Sequence, residues 1–425
     1  MSTKRILAAL LALLMVLAGT AALAEGKDIL VSRWAGPHAD LQKQLVKGYT
    51  TDEVTIDDVD YGNMKQKQIL SFQSSQGEST YDAVWVDCKW MKEYIGNGYL
   101  QPIDSFVEAS GLDLSIYAQG MLAGCYGDDG KLYGLPTYAQ TLILSYDSAA
   151  LERAKLAVPT SAEELVAVAK WFKENEGTGI ALPAKQGTAS TQVFAQLLYS
   201  SGGDFFDENG ALAINSEAGV YAAKIYDELT KYAVDGALAW HHDETCEAVR
   251  TGVAPIGITI SGLLNQNANP ELSTIVDTVR YAPLSGSKGA SGNNAFWVWG
   301  VAANSPDPKE AFDFIAWLTS PETEKAQTME NQQISAITSL SNDPEVLAKT
   351  PFLPVVMDVL ANGRMYPVSG NIQTMSDALI LGLSQIASTD ADPQQVMDRI
   401  VSELKDVDFG MKKLTPIQAS RRTGS

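Results

Sequence analysis

β-rich runs and helical runs take turns along the N-terminal part of this chain, and that alternation limits the possible folds more than any other feature. Asp28 to Trp34, Val54 to Tyr61 and Tyr81 to Val86 read as strands. His38 to Tyr49, Gly62 to Gln73 and Met91 to Gly96 read as the helices that follow them. Strands that alternate with helices predict α/β layers with largely parallel sheets, and such sheets bind ligands beyond the carboxyl ends of their strands. The third strand end is the richest. Its apolar run breaks at Asp87 and passes through Cys88-Lys89-Trp90 into a helix, so a carboxylate and the indoles Trp85 and Trp90 gather there. A fixed carboxylate accepts hydrogen bonds from hydroxyls, while a flat aromatic face covers the C–H surface of a sugar or polyol. Trp34 closes the first strand, and Tyr61 and Asn63 follow the second.

Lys4 and Arg5, the apolar run from Ile6 to Ala18 and the small residues ending at Ala24 predict a secretory signal peptide, residues 1–24, too short for a membrane anchor. No cysteine follows until Cys88, so the N-terminal thiol of a bacterial lipoprotein is missing. An exported, periplasmic, soluble monomer is expected. The 51 acidic residues against 31 basic ones give a net charge of −20, which repels phosphate backbones and anionic lipid and excludes nucleic-acid and membrane-surface roles. Cys88, Cys125 and Cys246 allow at most one disulfide, and three separate buried thiols are the simpler reading.

Later helices are predicted at Gln192 to Ser200, Ser216 to Tyr232, Pro308 to Leu318, Pro321 to Asn331, Met375 to Ala387 and Pro393 to Leu404. Gly252 to Ile260 and Phe296 to Ala302 read as buried strands. Four stretches then occur in a telling order: Gly130 to Pro136 with Leu144 to Asp147; Pro159 to Leu165; Gly202 to Asp207 with Ile214 to Ser216; and Trp299 to Ala302 running on through Ala311 to Glu322. Together they resemble the extracellular solute-binding proteins of family 1, the maltose-binding-protein-like components of ABC sugar and polyol importers.

The resemblance implies a type II periplasmic-binding-protein-like α/β fold, with two lobes joined by two or three crossing segments and a sugar trapped between them by hinge closure. The crossings fall near Thr137 to Thr141, Tyr281 to Leu284 and Ser335 to Leu340. Lobe one is then residues 25–137 and 285–336, and lobe two is residues 138–284 and 337–425. It also implies a membrane ABC permease as partner, no cofactor, and a cleft position for the loops that carry Trp34 and Asp87. Tyr138 and Gln140 lie at the first crossing, with Trp240 and His241 as the opposite jaw. Trp297 and Trp299 alternate onto one side of a strand and are expected to form a sugar platform. Arg364 is a further candidate, as a donor of paired hydrogen bonds to a hydroxyl or carboxylate.

Other chemistry finds little support. The cluster from His241 to Cys246 has no second His/Cys element to complete a metal site, and Asp204 to Gly210 lacks the ligand ladder of a calcium loop. Neither a Gly-x-Ser-x-Gly elbow nor a His-Glu-x-x-His helix is present. A secreted carbohydrate-active enzyme and a binder of charged cargo such as a polyamine are the competing readings.

Overall fold

The computed structural model describes residues 28–74, 81–367 and 371–411; the predicted signal peptide lies outside them. Its strands in chain order are β1 (Asp28–Trp34), β2 (Glu53–Val59), β3 (Ala83–Asp87), β4 (Leu135–Gln140), β5 (Leu142–Asp147), β6 (Ile180–Ala181) and β7 (Ile256–Ile260). They continue with β8 (Val279–Pro283), β9 (Ser285–Gly286), β10 (Gly289–Ala290), β11 (Asn293–Val301), β12 (Ile334–Ser335) and β13 (Arg364–Met365). One sheet has the order β12-β4-β11-β3-β1-β2, with β13 beside the start of β11; a second has the order β6-β7-β5-β8.

The parallel pairing predicted from the alternation holds for β1 with β2 and with β3. β11 pairs antiparallel with β3 and β4, and β12 antiparallel with β4, because β11 enters the sheet from the other half of the molecule and not through a strand–helix–strand unit; the short β13 runs parallel to the start of β11. β2 and β3 each hand over to a helix at a short polar side chain, whereas β1 does so at Gly36. Asp60 caps the helix Tyr61–Phe72 by accepting from the Gly62 amide, and Asp87 caps the helix Cys88–Gly96 by accepting from the Lys89 amide. Ser161 does the same for Ala162–Glu176, whose first turn carries Glu163 and Glu164 against the helix dipole.

Two large apolar cores result. The first gathers residues from Ile29 to Val359 around the β1, β3 and β11 sheet, and the second gathers residues from Leu142 to Phe409 around β5 and β7. Thr141 alone separates β4 in the first sheet from β5 in the second, and the chain returns after β8 through the β9–β10 hairpin to β11.

The third passage departs from expectation. Ile337, Leu340, Val346, Phe352, Val356 and Val359 all pack in the first core, whereas Met375, Leu379, Val396 and Ile400 pack in the second. The passage therefore falls between the helices Leu353–Ala361 and Ile372–Ser388, and residues 337–360, expected in lobe two, belong with lobe one. Cys88, Cys125 and Cys246 are buried and unpaired.

Candidate functional site

The ends of β1, β2, β3 and the middle of β11 converge on one group of rings. Trp34 is the last residue of β1, Tyr61 opens the helix after β2, Trp90 lies in the first turn after β3, and Trp297 stands opposite Asp87 in the β11–β3 register. Trp34 and Trp297 are parallel at 6.1 Å, Tyr61 and Trp90 are parallel at 5.6 Å, and the two pairs meet edge to face. Beneath them Trp85 stacks on Trp297 at 4.2 Å, and the Arg33 guanidinium lies 4.2 Å from the Trp85 ring centre.

Arg33 is fully buried, and desolvation pushes its pKa down to about 9 against the pull of Asp58 and Asp40. Its Nε donates to the Trp34 carbonyl at 3.0 Å and its Nη1 to the His38 carbonyl at 3.2 Å. Arg33 thus fastens the loop that carries Trp34 to the sheet below.

Asp87 works in two ways at once. One carboxylate oxygen accepts from the Lys89 amide at 3.0 Å as the helix cap; the other accepts from the Tyr61 hydroxyl at 2.9 Å and pairs with Lys89 Nζ at 3.1 Å. Burial and the nearby Asp87 charge both push the Tyr61 hydroxyl pKa above its ordinary value. For Lys89, burial is the largest single influence and works against the charge, but Asp87 together with the neighbouring Tyr61 and Cys88 groups outweighs it and raises the ammonium pKa above its usual value. Ring faces beside a balanced carboxylate, ammonium and phenol suit a solute with apolar C–H surface and several hydroxyls.

The remaining candidates fall into different places. Gln140 borders a small cavity with Gln192, Asn293 and Ala295, while Tyr138 is buried, stacked at 6.3 Å on Trp85, and takes a hydrogen bond from Gln140 Nε2. Asn63 is exposed on its helix. Trp240 packs against the second core and accepts from the Lys185 amide through its carbonyl, and His241 caps the helix His242–Arg250 together with Glu244. Neither touches the rings.

Two expectations are corrected. Trp299 is fully buried on Trp85, because its parity matches Trp297 but it sits two residues deeper in the sheet. Arg364 pairs with Asp204 at 3.1 Å and donates to the Gly203 carbonyl, so its fork is already engaged. Sequence reasoning passed over Arg33 and Lys89, although a charge inside the apolar run of β1 and a cation two residues after a capping aspartate were both readable signals.

Residues 35–325 match the model of the bacterial extracellular solute-binding protein family. A probable amino-acid ABC transporter periplasmic-binding protein of Sinorhizobium fredii is 28% identical over 305 residues, covering 70% of this chain and 69% of that one. Among solved structures, an ABC transporter solute-binding protein of Agrobacterium radiobacter K84 in complex with ribitol is 26% identical, with a TM-score of 0.78 over 90% of this chain and 99% of that one. Maltose-bound MalE3 of T. maritima is 22% identical, with a TM-score of 0.79 over 89% of this chain and 99% of that one.

Proposed function

The chain belongs to the bacterial extracellular solute-binding protein family, and from that membership we propose that it is the substrate-binding component of an ABC importer for a neutral sugar or sugar alcohol. One observation supports the solute class above the others: a group of four aromatic rings includes Tyr61, which donates to a carboxylate whose charge is already met by Lys89. A cation gains little from such a carboxylate, whereas hydroxyls can share the Asp87, Lys89 and Tyr61 groups while ring faces cover the carbon skeleton. The ribitol carried by the Agrobacterium protein fits that chemistry. Export through a cleaved leader, rotation of the lobes about their crossings on binding, and release of the solute unchanged to the permease complete the reading.

A second reading draws on the same ion pair and on the name of the Sinorhizobium relative. Opposite charges 3.1 Å apart also match the ammonium and carboxylate of an amino acid. A thermal-shift screen over pentitols, hexitols, monosaccharides, maltose and the common amino acids separates the two, since a ligand at about 100 times its Kd adds about 2.7 kcal/mol. Stabilisation by sugars or polyols alone is the expected result. Stabilisation by amino acids alone replaces the solute class and keeps the importer role.

A further inference from the structure

Gln192 is the exception in its helix. Every other residue from Ala189 to Ser200 is buried, whereas Gln192 is half-buried and borders the cavity that Gln140, Asn293 and Ala295 share. Its orientation is set from behind: Gln192 Oε1 lies 2.6 Å from His242 Nε2. Burial, with His241 alongside, lowers the His242 pKa to about 3, so the ring is neutral and carries one N–H. His242 Nδ1 is buried and has no partner among the described residues. An orphaned buried N–H is rarer and costlier than an orphaned acceptor, so the proton belongs on Nε2 and is donated to Gln192. That occupies the Gln192 carbonyl and leaves its NH2 group for the cavity.

The facing side chains have the opposite sense. One N–H of the Gln140 amide goes to the Tyr138 hydroxyl, and its carbonyl oxygen is left for the cavity. Asn293 is buried, and its Oδ1 has no partner among the described residues. Ala295 pairs with Gln140 across β11 and β4, and positions 293 and 295 share one face of β11, just before the register of the two strands shifts between Phe296 and Val298.

We propose that Gln140, Gln192 and Asn293 form an uncharged subsite for an alcohol hydroxyl, in which Gln192 donates, Gln140 and Asn293 accept, and His242 is the positioning residue for Gln192. The inference deepens the proposed sugar or polyol binding and rests on it. A hydroxyl both donates and accepts and therefore satisfies all three amides. A carboxylate would face two acceptors here, and an ammonium would be desolvated without a countercharge.

Calorimetric titration of the wild-type protein and of Gln192→Leu, His242→Leu and His242→Gln with ribitol, D-mannitol and maltose tests the subsite. Gln192→Leu should weaken the best of these probes about tenfold, the worth of one hydrogen bond. His242→Leu should weaken it by a smaller factor at unchanged Gln192, and His242→Gln, whose amide nitrogen matches the reach of Nε2, should restore most of the loss. Wild-type affinity in Gln192→Leu overturns the subsite and leaves the proposed function standing. A wild-type protein that ignores all three probes and binds an amino acid overturns the solute class, and the subsite falls with it. Imidazole nitrogen shifts of the wild-type protein give an answer that does not depend on any variant folding: a proton on His242 Nδ1 refutes the positioning role.

Discussion

Beside the first core, Trp34, Tyr61, Trp90 and Trp297 hold one another through ring contacts of 5.6 to 6.4 Å. On the second-core side, Gln192 is held by one 2.6 Å bond to His242. The rings form a stiff surface whose ordering cost was met on folding, so the area they offer a solute comes at little further loss of freedom. The amide offers almost no area but a defined direction. One side should therefore set how tightly a solute is held, and the other which stereoisomer is held.

The largest expected effect tests whether the ring surface is site or core. Trp299→Ala should lose about 3 to 5 kcal/mol of stability, while the folded fraction keeps its affinity. Trp297→Ala, at a ring that is itself only 6% exposed and stacked on Trp85, should lose stability too but in addition weaken binding by about 2 kcal/mol. Chemical denaturation and calorimetry on both variants read the difference. Equal stability losses with no selective binding defect would assign the whole stack to the core and collapse the comparison.

Next in size is an effect at the joint between the two sides. Glu324 is fully buried beneath β4, where Thr137 Oγ1 and Gln333 Nε2 donate to it, and desolvation raises its pKa from 4.5 to about 7. The folded state then binds more protons than the unfolded state between those values. Its contribution is complete below pH 4.5 and is lost as pH rises through about 7. The shift corresponds to roughly 3 kcal/mol. Melting curves from pH 4.5 to 8 should show this decline in the wild-type protein and a flatter profile in Glu324→Gln; parallel profiles would refute it.

Asp87→Ala should cost about 1.5 to 3 kcal/mol of binding and about 1 kcal/mol of stability through the lost helix cap. A stability loss without a binding loss would reduce Asp87 to a cap. The smallest effect concerns the amide side. A methyl group at Gly262 would run into the Tyr138 hydroxyl and the Gln140 amide. Gly262→Ala should therefore disturb Gln140 together with Tyr138 and weaken binding by about 1 kcal/mol. Unchanged affinity would mean that Gln140 adapts freely and carries no directional role.

The alternation of strand and helix, the capping side chains and most helix limits were legible because they are local. The predicted Pro308 to Leu318 and Pro321 to Asn331 match the observed helices. Local patterns could not say which core a segment joins. The helices Pro344–Lys349 and Leu353–Ala361 are apolar on one side in either lobe, and only long-range packing assigns them to the first. Alternation likewise put Trp297 and Trp299 on one side but carried no information about depth. Gln192 was invisible for the same reason, since its distinction is being the uncovered member of a buried helix.

The stack under the site has an optical consequence. Trp85 and Trp297 lie 4.2 Å apart at 20°, with Trp34 nearly parallel to both at 6.5 and 6.1 Å. Indoles so close and so aligned share their excitation, so the three absorb and emit as one coupled chromophore and not as separate rings. A solute that touches Trp34 or Trp297 alters the circular dichroism and emission of the whole set, while Trp171 and Trp240, packed on the second core, supply a steady background. A solute held on these rings would thereby report its own occupancy without a label.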